Sequence, residues 1–201
     1  KKKKLIIDHT LYTDLKIYPT WKSKFLFNIK KNILSKADII RSPSPNLSKQ
    51  LKTMGLNNYE IFLPNVNYNL FKIISLKNKL KLKSKLNIKK NKFIILSVGR
   101  VCLRKGSDIL IKTFKKINKK DNYFLIFLGP CDNQFKKYKN QKGIFISDKK
   151  VNNVHEYMKV SDLFVLLSRN EGLGIVFLES LASGLRILLP KIKGVSDFII
   201  G

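Results

Sequence analysis

The stretch LFVLLSRNEGLGIVFLESLASGLRILLP, residues 163–190, contains the pattern on which the predicted fold rests. An apolar run at 163–167 leads into a glycine-containing loop and then a helical segment at 173–183, which Gly184 ends. A second apolar run follows at 186–189. Neither run alternates polar with apolar residues, as expected of strands covered on both faces. The stretch therefore predicts a strand–helix–strand unit of a parallel sheet.

The same alternation extends back to residue 93. Strands are predicted at 93–98, 123–128 and 143–147, and helices at 107–118 and 151–160. This order predicts an α/β fold with a doubly wound parallel sheet over residues 72–201. Ligands of such sheets bind at the carboxyl ends of the strands, so the loops at those ends are the place to look for a site.

Residues 1–71 predict part of a separate N-terminal domain, on the acceptor side. It has strands at 37–40 and 60–63 and a helix from about 45 to 54, which Gly55 ends. A helix at 21–34 carries Trp21, Phe25, Ile29 and Ile33 at intervals of four, with lysines between them. That helix either packs on a sheet or lies on a membrane surface. Residues 72–92 are dense in lysine and predict either a linker or a surface helix, so the boundary is placed near residue 71.

The chain of 201 residues has a formal net charge of +28, and 44% of its residues are hydrophobic, enough for a core. Such charge is typical of proteins that bind nucleic acid. Only five of the 41 basic residues are arginine, however, and bidentate recognition of phosphate or guanine favours arginine. We therefore favour lysines that fill solvated faces. Attraction to an anionic surface stays open as an alternative.

Cysteine occurs twice, at Cys102 and Cys131, without the spacing of a zinc site. Buried free thiols in a reducing compartment are expected. No apolar run reaches the roughly 18 residues that a membrane span needs, and no signal peptide is recognised. These features predict a cytoplasmic protein. Because the first residue is Lys1 rather than Met, we expect a piece of a longer chain.

Two carboxyl-end loops carry candidate site residues. The first has Gly99 and Arg100, then Lys105 and Gly106 at the start of a helix. Two cations beside a helix dipole and free N–H groups predict an anion site.

The second loop has Glu171, Gly172 and Gly174, and its glycines would let the backbone approach a phosphate. Glu179 follows in a helix that is apolar nearly all round and is expected to be buried. A buried carboxylate needs a partner, either a nearby lysine or backbone group, or the hydroxyls of a ligand. Eight helical residues would separate the two glutamates by roughly 12 Å.

These residues resemble the signature of the group 1 glycosyltransferases, also called glycosyltransferase family 4. The string from Glu171 to Glu179 matches their E-x7-E motif, and it is followed by Ser180–Gly184 in the expected order. Further matches are Asp162–Ser168, Ser97–Arg100 with Arg104–Gly106, Phe127–Gly129, and residues 194–199. The resemblance covers about residues 37–201 in consistent order.

The resemblance implies a GT-B fold of two Rossmann-like domains with the nucleotide-sugar donor bound on the second. It implies retaining, metal-independent transfer of a hexose from a UDP- or GDP-sugar to a glycan or lipid-linked acceptor, without a cofactor. The implied roles are as follows: Arg100 and Lys105 bind the diphosphate, Glu171 contacts the sugar, Glu179 accepts the ribose hydroxyls, and the backbone of Gly172, Leu173, Gly174 and Gly99 completes the donor site.

Two departures from the family pattern stand out. Arg186 replaces the usual proline, and Pro64-Asn65-Val66-Asn67 lacks the usual glycine and aspartate. Two complete domains would also need about 300 residues.

The competing hypotheses are a non-catalytic basic protein that binds nucleic acid or an anionic membrane, and an inactive truncated relative. The enzyme hypothesis includes peripheral attachment to the inner face of a membrane and expects no specific nucleic acid.

Overall fold

The computed structural model describes residues 4–8, 21–62, 64–169, 171 and 174–192. The chain divides into two compact units. The first contains the described residues up to Asn65, together with residues 171, 174, 191 and 192. The second contains Val66–Arg169 and Ile175–Pro190.

The first unit has a three-stranded parallel sheet in the order β1–β2–β3. Its elements are β1 Ile6–Asp8, α1 Trp21–Ser35, β2 Ile39–Ser42, α2 Pro45–Thr53 and β3 Tyr59–Ile61. Its buried cluster is made of Leu34, Ala37, Ile40, Leu51, Met54 and Leu56. The expected helix between the two expected strands is present, and β1 adds a strand that the sequence did not predict.

The buried face of α1 differs from the predicted one. Phe25, Ile29 and Ile33 are between 41% and 59% exposed, whereas Leu34 is buried and Phe27 packs partly on the same cluster. Lys30 lies on this inner face, since positions 27, 30 and 34 share one side of a helix, and burial lowers the pKa of Lys30 to about 8. Of the two alternatives for this helix, the one in which the residues at 25, 29 and 33 pack on the sheet is therefore wrong.

The second unit has a five-stranded parallel sheet in the order β6–β5–β4–β7–β8. Its strands are β4 Phe93–Val98, β5 Tyr123–Leu128, β6 Ile144–Ile146, β7 Leu163–Val165 and β8 Arg186–Leu188. Its helices are α3 Tyr68–Phe71, α4 Leu76–Lys85, α5 Ser107–Ile117, α6 Val154–Val160 and α7 Ile175–Ala182, with short 3₁₀ turns at Leu103–Lys105, Asn118–Lys120 and Asn133–Tyr138. The predicted parallel α/β fold is confirmed.

Helix α7 is less buried than predicted. It begins at Ile175 rather than at residue 173, and Ile175 and Leu181 are 42% and 47% exposed. Phe177 and Ser180 form its buried side. An apolar composition all round therefore does not bury this helix completely. Of the two free thiols, Cys102 is buried as expected, whereas Cys131 is only half-buried.

The lysine-dense segment forms a helix rather than a flexible linker. Lys79 and Lys83 of α4 face inward to Asp162, with Nζ atoms 2.7 Å and 3.9 Å from its two carboxylate oxygens. Asp162 also accepts a 2.9 Å hydrogen bond from the backbone N–H of Ile94 in β4. Leu76 and Leu80 are exposed instead. The helix is thus tied to the sheet by charge, with Leu76 and Leu80 toward solvent.

The boundary between the units lies at Asn65 and Val66, six residues before the predicted position. The reason is that α3 belongs to the second unit. Its Phe71 is buried there and meets the ring of His155 edge-on, with 6.3 Å between ring centroids.

Gly106 is expected to be essential for folding of the second unit. A Cβ at this position would lie 2.0 Å from the carbonyl oxygen of Leu167, which is backbone and cannot yield. We expect Gly106→Ala to lower the free energy of unfolding by about 3 kcal/mol or more, measured by urea denaturation.

Gly184→Ala is the matched control. Gly184 has φ +75° against +68° for Gly106, so the left-handed strain of about 1–2 kcal/mol is shared. Its added Cβ would meet only the exposed side chain of Ile73 at 2.8 Å, which can turn away. Equal losses in the two variants would contradict the prediction.

Candidate functional site

The carboxyl ends of β4 and β5 approach each other through two glycines. A Cβ on Gly129 would lie 2.3 Å from the carbonyl oxygen of Gly99, so the end of β5 has no room for a side chain at Gly129. The N–H of Gly99 donates to the Leu128 carbonyl at 2.9 Å, and the N–H of Gly129 donates to the Ser147 hydroxyl at 2.9 Å. These bonds fix a flat backbone surface at the edge of the sheet.

Lys105 lies across that surface. Its Cε and Nζ are 3.5 Å and 3.8 Å from the place where a Cβ on Gly99 would stand. The side chain is half-buried and leaves the 3₁₀ turn Leu103–Lys105. The structure thus brings together Gly99 and Lys105, two residues that the sequence placed in one anion site.

Arg100 stands at the rim of the same edge. Its Nη1 is 3.3 Å from Oδ1 of Asp132, and the Arg100 side chain is 60% exposed. The loop that carries Asp132 is held by backbone bonds between Val101 and Pro130 at 2.8 Å and between Asp132 and Val101 at 3.1 Å. Since exposed ion pairs contribute little, an incoming anion can compete with Asp132 for Arg100.

The start of α5 does not offer the free N–H groups that the sequence predicted. The N–H of Ser107 donates to the Cys102 carbonyl at 3.3 Å, and that of Leu110 donates to the Gly106 carbonyl at 3.1 Å. The N–H groups of Asp108 and Ile109 interact with the Asp108 carboxylate. These contacts engage the first N–H groups of α5 within the chain, whereas the anion-site prediction expected them to be free.

Arg169 and Asp108 form an ion pair that the sequence did not reveal. The guanidinium of Arg169 donates to both carboxylate oxygens of Asp108, at 2.8 Å and 2.7 Å. These bonds hold the pKa of the Asp108 carboxyl below its ordinary value, the hydrogen bonds from Arg169 being the largest cause. The two residues are 61 positions apart, and no local pattern of spacing links an acid in a first helical turn to a distant arginine.

Glu179 lies in α7, half-buried, and burial raises the pKa of its carboxyl above the ordinary value. Within the described ranges of the chain, no hydrogen bond or ion pair reaches that carboxylate. Of the two partners that the sequence analysis considered, a lysine or backbone group is therefore not found there. A carboxylate that has lost water without gaining a partner is suited to accept hydrogen bonds from a ligand.

The remaining candidate residues are placed only in part. Glu171 is half-buried and Gly174 is buried, and both belong to the first unit. Gly172 and Leu173 lie outside the described residues. Because α7 begins at Ile175, the helical estimate of the distance from Glu171 to Glu179 no longer applies. Arg186 is exposed in β8, in register with Leu163.

A doubly wound parallel sheet with glycines and cations at its carboxyl edge defines the class of α/β domains that bind anionic ligands there. The family model for glycosyl transferases group 1 matches residues 78–200, more than half of the chain. The chain belongs to this family. The resemblance to the group 1 glycosyltransferases is thereby confirmed.

Two curated relatives and one solved structure illustrate the family. An uncharacterized glycosyltransferase of Methanocaldococcus jannaschii is 29% identical over 180 residues, which cover 85% of this chain and 44% of that protein. A sulfoquinovosyl transferase of Arabidopsis thaliana is 23% identical over 184 residues, covering 90% of this chain and 36% of that protein. The chain thus spans less than half the length of these relatives.

The solved structure is that of Anabaena HepE in complex with UDP-glucose. It superposes with a TM-score of 0.83 at 16% identity, covering 99% of this chain and 56% of HepE. The structural neighbours are GT-B glycosyltransferases, so the described chain has part of a GT-B fold.

The carboxylate of Glu179, which has no partner in the part of the chain that the structure describes, predicts a pH dependence of stability. Its folded-state pKa is raised, so ionisation costs folding free energy as pH rises from the ordinary value of 4.5 through the folded-state pKa. We expect ligand-free Glu179→Gln to match the wild type near pH 4 and to be more stable at pH 7, by urea denaturation.

Glu156→Gln is the control with the opposite sign. Hydrogen bonds from Lys85, and then from Asn153, lower the pKa of Glu156. Its stabilising effect is present above the ordinary pKa and is lost as pH falls through the folded-state pKa. This variant should therefore be less stable than the wild type at pH 7, with a smaller difference in acid. The same sign in both variants would refute the explanation by burial.

Proposed function

We propose that this protein transfers a hexose from a nucleoside diphosphate sugar to a glycan or lipid-linked acceptor, with retention of configuration and no required metal, as a member of glycosyltransferase family 4. The observation that carries the proposal is Lys105 lying across the Gly99 backbone at the carboxyl end of β4. It occurs in a chain that belongs to the group 1 glycosyl transferases. HepE, a structural neighbour, binds UDP-glucose, which suggests UDP- or GDP-sugars as donors.

The reaction needs positive charge at the leaving group. As the bond to the sugar breaks, negative charge grows on the nucleoside diphosphate, and fixed cations can stabilise it without a metal. We assign Lys105 to this role, since its Cε lies 3.5 Å from the place where a Cβ on Gly99 would stand, at the carboxyl end of β4. Arg100 would join it by exchanging Asp132 for the diphosphate, since that ion pair is largely exposed.

Glu179 would bind the other part of the donor. Its half-buried carboxylate can accept hydrogen bonds from the two ribose hydroxyls, and bonds to a charged group contribute about 1.5–3 kcal/mol each. We assign Glu171 to the transferred sugar, and the backbone of Gly172, Leu173 and Gly174 to the sugar or phosphate. These assignments follow the family motif.

Donor binding tests the proposal directly. In calorimetric titrations with UDP-glucose and GDP-mannose, Lys105→Ala and Glu179→Ala should each weaken the affinity about tenfold or more, because each loses a charge-assisted bond. Binding should persist in excess EDTA if no metal is required.

Two further variants sharpen the result. Asp132→Asn should strengthen donor binding, because it releases Arg100. Lys142→Ala removes an equal charge at an 82% exposed side chain before β6, at the opposite end of the strands, and should have no effect. Unchanged affinity in both Lys105→Ala and Glu179→Ala would refute the site assignment.

Peripheral attachment to an anionic membrane is a second proposal, carried by α1. Phe25, Leu26, Ile29 and Ile33 are exposed on this helix, and Lys31 and Lys36 lie beside them. An amphipathic helix of this kind can lie in the interface of an anionic leaflet. None of the described helices is long and apolar enough to cross a bilayer.

Vesicle co-sedimentation tests this attachment. We expect the chain to bind phosphatidylcholine vesicles that contain phosphatidylglycerol, and Phe25→Asp/Ile29→Asp to reduce binding about tenfold or more by removing two apolar anchors. The charge-matched control is Ile73→Asp/Ile117→Asp, at two other exposed apolar positions. Equal loss in both double variants would show a nonspecific charge effect and contradict attachment through α1.

A further inference from the structure

Arg169 makes more contacts with the Lys105 turn than an isolated surface ion pair would. Besides its two bonds to Asp108, its Nη1 donates to the Leu103 carbonyl. Its backbone N–H donates to the Arg104 carbonyl at 2.8 Å. The two residues immediately before Lys105 are thus held by one arginine at the exit of β7.

The backbone around these contacts is already tightly packed. The Cβ that Gly106 lacks would collide with Leu167, two residues before Arg169. The turn Leu103–Lys105 is therefore fixed on one side by this backbone contact and on the other by the guanidinium. Lys105, the last residue of the turn, takes its direction across Gly99 from both.

Arg169 also offsets the negative charge of Asp108. Asp108 lies in the first turn of α5, three residues after Lys105, and its carboxylate interacts with the first N–H groups of the helix. Without a partner, this negative charge would oppose an anion bound by Lys105. The bidentate bonds from Arg169 offset it.

The exposure of the pair argues against a mainly structural role. The side chains of Arg169 and Asp108 are 46% and 35% exposed. Ion pairs exposed to this degree typically contribute little to global stability. Their effect is expected instead on the local position and the local potential of the turn that carries Lys105.

We propose that Arg169 and Asp108 are a positioning pair, which sets the direction of Lys105 toward the donor diphosphate while Arg169 cancels the opposing charge of Asp108. The inference rests on the proposed function, because it assumes that Lys105 binds a nucleoside diphosphate. Neither residue is assigned a contact with the donor.

The test is a double-mutant cycle on the full chain, with UDP and GDP as probes in calorimetry. Arg169→Gln should bind most weakly, about tenfold or more below the wild type, because it loses the position of Lys105 and leaves Asp108 unpaired. Asp108→Asn/Arg169→Gln should bind more tightly than Arg169→Gln alone, but less tightly than the wild type. Arg169→Lys should not restore affinity, since lysine cannot form the bidentate contact.

The matched control is the pair Lys85 and Glu156, 2.5 Å apart in the same unit. Lys85→Gln/Glu156→Gln should leave the nucleotide affinity unchanged. Hydrogen exchange in the ligand-free chain should be faster at residues 103–106 in both variants that carry Arg169→Gln and unchanged in Lys85→Gln/Glu156→Gln. If the pair had a purely structural role, adding Asp108→Asn to Arg169→Gln would not restore nucleotide affinity. Recovery of affinity in the double variant therefore supports the positioning role.

The outcomes separate the two proposals. If the wild type binds neither UDP nor GDP, the proposed function fails, and the positioning pair fails with it. If the wild type binds and Arg169→Gln binds equally well, only the positioning pair is overturned. It is also overturned if the double variant binds more weakly than Arg169→Gln, or if affinity falls only in proportion to the melting temperature.

Discussion

The close approach of backbone segments at the carboxyl edge of the five-stranded sheet is the constraint on which the candidate site depends. Gly99, Gly106 and Gly129 occupy the three positions where β4, β5, the exit of β7 and the start of α5 come together. Contacts of this kind admit no Cβ at Gly106 or Gly129, because backbone atoms cannot yield as side chains do. The packing that excludes side chains at these positions therefore also leaves room for Lys105 to lie over the edge of the sheet.

This dependence explains how much of the site could be read from the sequence. Strands β4 and β5 begin and end at their predicted residues, because each apolar run is bounded by polar residues or glycine. The association of Gly99 with Lys105 follows from chain order and topology, since both lie in the single loop that leaves β4 at the carboxyl edge of the sheet. Residues whose role depends on the topology alone were thus within reach of sequence analysis.

What the sequence could not predict depends on contacts between side chains distant along the chain. The bond between Arg169 and Asp108 joins two elements with no shared periodicity. The inner face of α1 could not be chosen from the sequence, because the interval of four at 25, 29 and 33 does not show which side meets the sheet. The actual inner face includes Lys30, which hydropathy alone would place in solvent.

The basic composition also conceals two different uses of lysine. Most of the lysines whose exposure the structure describes are exposed, as the compositional interpretation held, but Lys83 is only 5% exposed and shares Asp162 with Lys79. These two side chains tie α4 to the sheet. A net charge of +28 therefore does not describe one uniform surface.

In so basic a chain, the acidic residues show where electrostatics is specific. Cations are abundant, so a carboxylate readily finds one: Asp108 has Arg169, Asp132 has Arg100, and Glu156 has Lys85. Glu179 differs, because within the described residues its half-buried carboxylate gains no partner and its pKa rises. Such a group costs folding free energy in the ligand-free protein, and a bound ligand that donates hydroxyls would recover that cost. The missing partner of Glu179 among the described residues is thus an argument for a ligand that is independent of the cations.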